Sequence, residues 1–386
     1  MICSGAHFAR SFRPMSHTLI RSLLASSFIL PLTLAQEPDS PVAVDEVVSV
    51  DPVTEHHRAL SRQVGTWRVV YRTEAIPGIP GMEKATESDG IETIDLLGGG
   101  LWLRSVTQSH HEGQNFEGYW IVGYDPNAKA YDGIWVSSME EPPARMRGSF
   151  DARRLAWTFE GNTGHGRMRS QLVMESDDES VETCWILGED QAQTQCMVIR
   201  RTRLKEAPKA AVPALKAASD KVHPLGLGLG DWKAKARHDI PGMPPQESEC
   251  AESVRWVCGG HWTWSDFSGE MMGMPFTGHA LSGFDATTGK LVSYWIDSWT
   301  PTFTVTSGEF DAKSKTLRFT GSTHGPDGSE VPVLQTLVHS SEKQRRLTMQ
   351  FGEGDEASKM TIDYTLREPS NKAEAKGSNA PASKGK

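Results

Sequence analysis

The sequence predicts an all-β protein built from two tandem antiparallel up-and-down β-barrels of about ten strands each. Three observations predict it. First, Phe116 to Asp151 recurs without a gap as Phe276 to Asp311, at a constant offset of 160 with nine of 36 positions identical. The identities are Phe116/Phe276, Gly118/Gly278, Gly123/Gly283, Asp125/Asp285, Trp135/Trp295, Ser138/Ser298, Gly148/Gly308, Phe150/Phe310 and Asp151/Asp311. A pattern of glycine, aromatic and aspartate that holds register this long is an internal duplication. Second, apolar residues inside each copy recur with period two, the period of a half-buried strand. Third, turn signals separate these runs, and a meander of that many strands removes its two edges only by closing.

Residues 1–35 read as an export signal. Arg10, Arg13 and Arg21 precede an apolar run from Leu23 to Leu34, and Thr33-Leu34-Ala35 offers a cleavage site with a small residue at its end; Met15 is an alternative initiator. The run is shorter than the roughly 20 apolar residues of a membrane span, so no span is expected once the signal is removed. A periplasmic or extracellular protein is the expectation. The chain carries a formal charge of -9, and loss of three arginines takes it to about -12. Such a balance argues against nucleic acid or an anionic membrane surface as partner, since both demand clustered Lys and Arg.

A Pro- and acid-rich lead-in occupies residues 36–55. The first barrel repeat follows at 56–204. Residues 205–222, with Glu206-Ala-Pro-Lys-Ala-Ala-Val-Pro213, read as a semi-rigid linker. The second barrel repeat spans 223–368, and the Lys, Ala, Ser, Asn and Gly of 369–386 read as a disordered tail.

Within the first repeat, Trp67, Val69 and Tyr71 alternate with Arg68 and Arg72, and Trp157 and Phe159 with Thr158 and Glu160. In the second, Trp232, Ala234, Ala236 and His238 alternate with Lys233, Lys235, Arg237 and Asp239, and Leu317 and Phe319 with Arg318 and Thr320. Turns fall at Pro77-Gly78, Gly98-Gly99-Gly100, Asp125-Pro126-Asn127, Gly161-Asn162 and Gly188-Glu189-Asp190. Short helical turns are expected before Gly65 and Gly230. Cys184 and Cys196 lie symmetrically about the polar turn at Gly188 to Gln191, placed to face each other across a hairpin and to oxidise in an exported protein. Cys250 and Cys258 read as free buried thiols on one strand.

Each repeat opens with a His and Gly-x-Trp: His57 with Gly65-Thr66-Trp67, and His223 with Gly230-Asp231-Trp232. Gly99-Gly100 then precedes Trp102, as Gly259-Gly260 precedes Trp262. Aromatic-x-Gly, Gly-aromatic-Asp and Trp295-Ile296-Asp297-Ser298 follow, and each repeat ends in an arginine, Arg203 or Arg367. In this order the pattern resembles the domain of unknown function 1579 family over nearly all of both repeats. The opening Gly-x-Trp and closing Arg also resemble lipocalins and the wider calycin barrels. That resemblance implies a Trp plugging one barrel end with a late-strand Arg across its ring, which pairs Trp67 with Arg203 or Arg201 and Trp232 with Arg367.

The second repeat is the better candidate for a working site. The first replaces Asp297 by Ser137, His261 by Leu101, His279 by Tyr119 and Trp299 by Met139, and fills the positions of Ala234 and Ala236 with Val69 and Tyr71. The expected ligand-binding set is Ala234, Ala236, His238, Trp262, Trp264, Trp295, Asp297 and Trp299: small residues that leave space, aromatic walls and a few polar groups to orient a ligand. Met271-Met272-Gly273-Met274 reads as a flexible apolar rim, with a copper-like soft-ligand site as the alternative. No cofactor is expected; a metal or haem held through His165 or His324, each near a Gly-x-Thr, is the alternative reading. His110-His111 reads as a solvated strand end. Nucleophile elbow, phosphate loop and dinucleotide fingerprint are all missing from the sequence. A binding module for a small apolar or amphipathic molecule is therefore favoured. The alternatives are a barrel enzyme using Asp297 with His261 or His279 as acid and base, and a structural or interaction protein with both barrels packed solid.

Overall fold

The alternation of apolar and polar residues closes into two barrels in a computed structural model that describes residues 52–206 and 224–368, apart from 80, 81, 112, 113, 140, 190, 191, 326 and 327. The expected signal segment and tail, and all but the margins of the lead-in and linker, lie outside the described residues. A one-turn helix, α1 (Glu55–Leu60), leads into β1 (Gly65–Thr73), β2 (Thr86–Leu97), β3 (Trp102–His111), β4 (Gln114–Asp125), β5 (Ala130–Ser137), β6 (Ala144–Asp151), β7 (Ala156–Thr163), β8 (Gly166–Met174), β9 (Glu179–Leu187) and β10 (Gln193–Arg203). The second set is β11 (Gly230–Asp239), β12 (Gln246–Val257), β13 (Trp262–Met271), β14 (Met274–Asp285), β15 (Lys290–Asp297), β16 (Thr304–Asp311), β17 (Thr316–His324), β18 (Glu330–Ser341), β19 (Gln344–Phe351) and β20 (Ser358–Leu366), preceded by a 3-10 turn at Pro224–Gly228. Every strand pairs antiparallel with its sequence neighbours, and β1–β10 and β11–β20 close the two rings. No edge is left in either ring, so no unpaired ladder invites a partner strand. No helix among the described residues is long and apolar enough to cross a membrane.

Two of the three repeated glycine pairs stand where indole rings lie on the sheet. A Cβ added to Gly118 would strike the Trp135 ring, and one on Gly278 the Trp295 ring; Gly123 and Gly283 underlie Trp102 and Trp262 in the same way. The repeated aspartates tie turns: Asp125 Oδ1 accepts from Asn127 N at 2.8 Å, Asp285 Oδ1 from Thr287 N at 2.9 Å, and Asp151 and Asp311 do the same for Arg153 and Lys313. Ser138 and Ser298 accept from the backbone N–H of Glu117 and Thr277.

Charge lies inside both barrels. In the first, Arg201 pairs with Glu92 at 2.5 Å and Glu182 at 2.8 Å, while Ser105 donates to Glu92. In the second, Arg345 pairs with Glu252 at 2.6 Å, and Ser265 donates to the same carboxylate. Buried charges are retained only when paired and hydrogen-bonded, which these are.

The barrels meet through the outer faces of β3–β5 and β13–β15. Leu101, Trp102, Tyr119, Ile121, Ile134 and Val136 of the first share one apolar cluster with Val257, Cys258, Trp262, Trp264, Leu281, Tyr294, Ile296 and Phe303 of the second. Trp102 Nε1 donates to Asp297 O at 3.0 Å, the Trp102 and Phe303 rings lie 4.7 Å apart, and Arg104 stands 4.9 Å over Trp264. The four described cysteines are free and buried. Cys184 faces Met197, with Cys196 in a bulge beside it, so the hairpin does not set the two thiols directly opposite. Cys258 lies in a 3-10 turn after β12 rather than on the strand with Cys250.

Candidate functional site

One end of each barrel is plugged. Trp67 is 1 % exposed, donates its Nε1 to Gln63 O at 2.8 Å, and carries the Arg203 guanidinium 4.0 Å above its ring. Of the two arginines expected there, Arg203 takes this place and Arg201 turns inward to Glu92. Trp232 is equally buried and donates to Gly228 O at 2.9 Å, but the cation over its ring is Arg345, at 4.2 Å, and not Arg367. Register is the reason. Trp67 pairs with Arg203, whereas Trp232 pairs with Leu366, which leaves Arg367 one residue further, past the strand end and exposed. The inward face of β19 supplies Arg345 instead.

The opposite end of the second barrel, about 20 Å along β11 from the plug, gathers part of the expected set. Ala234 and Ala236 face inward among Phe267, Met271, Phe276, Met360, Ile362 and Tyr364. Trp295 also faces inward, stacked on Phe276, and Trp299 meets the edge of Phe276 with centroids 5.1 Å apart. His238 closes the inward row of β11. Both of its ring nitrogens are buried and neither has a hydrogen-bond partner. Desolvation lowers its pKa, so the ring is neutral at pH 7. It faces a void of about 10 Å³ lined by Ala236, Gln246, Glu247, Ser248, Met271, Met272 and Met360 as well. That is room for one water-sized body. The alanines thus leave less space than their size implied, because Met271 and Met360 fill the volume above them.

Trp262 and Trp264 are not part of this end. They point outward from β13 into the interface between the barrels, 3 % and 0 % exposed, with Trp264 against Tyr119 of the first barrel. Consecutive tryptophans two residues apart share a face, and periodicity does not say whether that face is the lumen or a neighbouring barrel.

Asp297 is a turn residue. Its Oδ1 accepts from Trp299 N at 2.8 Å and Thr300 N at 2.7 Å, and its Oδ2 from Trp295 Nε1 at 3.0 Å. Burial raises its pKa, and those three donors oppose the rise. Ser137 does the same work in the first repeat, accepting from Met139 N at 3.1 Å. Neither expected partner histidine reaches Asp297. His279 sits on the outer face, bonded through Nδ1 to Asp266 Oδ1 at 2.9 Å, and Asp297 pairs with Gly278 on the inner row. His261 precedes β13, at the end of its ladder that pairs with Gly283, five positions from Gly278. Burial pushes the Asp266 carboxyl up, but hydrogen bonds from His279, Arg255 and Trp264 outweigh it and hold the group well below the usual carboxylate range.

His165 lies in the β7–β8 turn and pairs with Glu141 at 3.0 Å. His324 ends β17 with Nδ1 buried and unpartnered. His110 is exposed and bonds to Asn115, while the side chain of His111 lies outside what the structure describes. Among the described residues no three His, Cys, Asp or Glu gather as a metal site.

Sequence reasoning missed the interior carboxylates Glu92 and Glu252, since a charged residue in an alternating strand reads as outward-facing. The signal that finds them is the repeat itself: Glu92/Glu252 and Ser105/Ser265 keep the same offset of 160 outside the 36-residue window.

Among solved structures, a Nostoc punctiforme protein of unknown function from the DUF3598 family aligns at 10% identity over 81% of this chain and 99% of its own, with a TM-score of 0.23. Rv2717c from M. tuberculosis aligns at 12% over 39% of this chain and 99% of its own, TM-score 0.32. The S-type phycobiliprotein lyase CPES from Guillardia theta aligns at 6% over 38% and 91%, TM-score 0.29. No curated protein matches the chain. The family model described as "Protein of unknown function (DUF1579)" matches residues 52–203 and 223–366, the two barrels in turn, and the chain belongs to that family as a tandem repeat of it.

Proposed function

We propose that the protein is an exported, non-catalytic binding module that takes a small apolar or amphipathic ligand at the methionine-lined end of the second barrel. The observation that carries this reading is His238, whose two ring nitrogens are buried without a partner. An unmade buried hydrogen bond costs about 1–3 kcal/mol, a cost that a ligand supplying the missing partner recovers. The first barrel offers an internal comparison. At the place of His238 stands Thr73, whose hydroxyl is bonded to that of Thr86 at 2.6 Å, and at the place of Ala236 stands Tyr71, whose hydroxyl reaches Thr107. Those two hydroxyls have partners; the ring nitrogens of His238 do not.

A ligand larger than a water requires Met271, Met272 and Met360 to move. Thioether side chains with three rotatable bonds do so at low cost, and Phe276 and Trp299 then supply aromatic walls beside the polar anchor. The test is uptake of an environment-sensitive apolar dye by the full-length chain, with native mass measurement for a carried-over ligand. Ala236→Leu fills the void and abolishes uptake, at a cost of about 1–3 kcal/mol because the site is closely packed around it. Undiminished uptake by this variant sinks the placement. The close filling of both barrels favours a second reading, an interaction protein without a small ligand; a parent chain with neither carried-over mass nor dye uptake decides for it.

A further inference from the structure

The void beside His238 has the size of an ion rather than of a lipid, and three of the eight residues around it are methionines. Met360 stands directly across from His238 on β20, Gln246 across from it on β12, and Met271 ends β13. Met271, Met360 and His238 thus border one space of about 10 Å³, with Met272 as a third methionine lining it. Met272 sits at φ 53° in the two-residue turn before Gly273. Asn, Asp or Gly takes that left-handed position at lower cost, so a methionine there is held against its backbone preference.

We infer that His238, Met271 and Met360 form a site for a soft monovalent metal ion, Cu(I), at the mouth of the second barrel. This rests on the placement of binding at that mouth and narrows what fills it. Thioether and imidazole donors select Cu(I) over the divalent ions that prefer carboxylate and water, and the carboxylate nearest the void, Glu247, is on the outward row of β12, where it pairs in register with Arg237. A neutral imidazole offers its lone pair without first losing a proton. No bond is made or broken in the protein; the ion replaces the partner that the ring nitrogen lacks. At the same level of the first barrel, the place of His238 is taken by Thr73, which bonds to Thr86.

The experiment is an anaerobic titration of the full-length chain with Cu(I), buffered by a chromogenic Cu(I) chelator, compared with Zn(II). One Cu(I) per chain, held at least about 100-fold more tightly than Zn(II), is expected. Met271→Leu with Met360→Leu keeps the core volume and removes both sulfurs; it lowers the Cu(I) affinity by at least about tenfold, as does His238→Gln. Copper bound equally well by these variants, as adventitious binding to thiols would give, overturns the site. X-ray absorption at the copper edge of the parent is independent of whether a variant folds: nitrogen and thioether scatterers support the assignment, and a thiolate-only shell overturns it. A parent that takes no Cu(I) but takes up dye in a way that Ala236→Leu abolishes overturns the metal and leaves the mouth as a binding site. Absence of both overturns both.

Discussion

Replacing Arg345 by Met, compared with replacing Arg367 by Ala, measures which arginine secures the second barrel's plug. Arg345 is 5 % exposed, with its guanidinium 4.2 Å from the Trp232 ring, 4.4 Å from that of Tyr364, and 2.6 Å from Glu252. Its removal leaves the Glu252 carboxylate inside the barrel with hydroxyl donors, Ser265 and Tyr364, but without its paired cation. Breaking a buried pair in this way costs about 3–5 kcal/mol, and the lost cation–π contacts add about 0.5–2 kcal/mol. That is a large share of the roughly 5–15 kcal/mol that holds a domain. Arg367 is exposed beyond β20, and its truncation costs less than about 0.5 kcal/mol. Urea denaturation of the full-length variants, read by tryptophan fluorescence with the slope compared between them, separates the two. Adding Glu252→Gln to Arg345→Met removes the stranded charge and recovers part of the loss. A midpoint for Arg367→Ala as low as that of Arg345→Met refutes the reasoning, and so does an Arg345→Met variant that melts with the parent.

His339 makes the stability pH-dependent. Desolvation, then the charges of Arg345 and Lys315, lower its pKa to about 4 from the ordinary 6.5. Between those values the unfolded chain binds the proton and the folded one does not, so stability falls as pH drops from about 6.5 to about 4, by up to about 3 kcal/mol. His339→Gln should flatten that part of the curve relative to the parent, and identical slopes from pH 7 to 4 would remove His339 as the cause. Cutting the chain within residues 205–222, the expected linker, should leave two fragments that co-elute in size-exclusion chromatography, because separation would expose Trp102, Trp262, Trp264 and Phe303. Fragments that elute apart and stay soluble would show this interface to be weak.

The strand count and the closure were legible because they depend on local quantities: period-two alternation, turn residues and a fixed repeat offset. Arg203 over Trp67 was legible for a similar reason, since the closing strand places the arginine opposite the tryptophan in register. Arg345 over Trp232 was not. The end of β20 is shifted so that Leu366 takes the paired position, and the cation arrives from β19, a substitution across strands that no motif records. The size of the space beside Ala236 was also out of reach, because it depends on Met271 and Met360 from strands distant in sequence.

The glycine, aspartate and serine identities in the 36-residue window for which the structure shows a role are spent on the fold. Gly118 and Gly278 make room for indoles, Asp125, Asp285, Asp151 and Asp311 tie turns, and Ser138 and Ser298 hold a neighbouring strand's N–H. The Ser137/Asp297 difference, which looked like the loss of a carboxylate, leaves the turn intact, because a hydroxyl and a carboxylate both accept the same N–H two residues on. Duplication therefore preserved what closes a barrel and freed the rest to diverge. A functional group is to be sought where the copies differ and where the difference leaves something chemically unfinished. Thr73 against His238 meets both conditions: the threonine is satisfied by Thr86, while the histidine keeps two buried nitrogens without partners in a space that Met271 and Met360 also line. Selection for stability alone would have removed that cost, which runs to about 1–3 kcal/mol for each unmade bond.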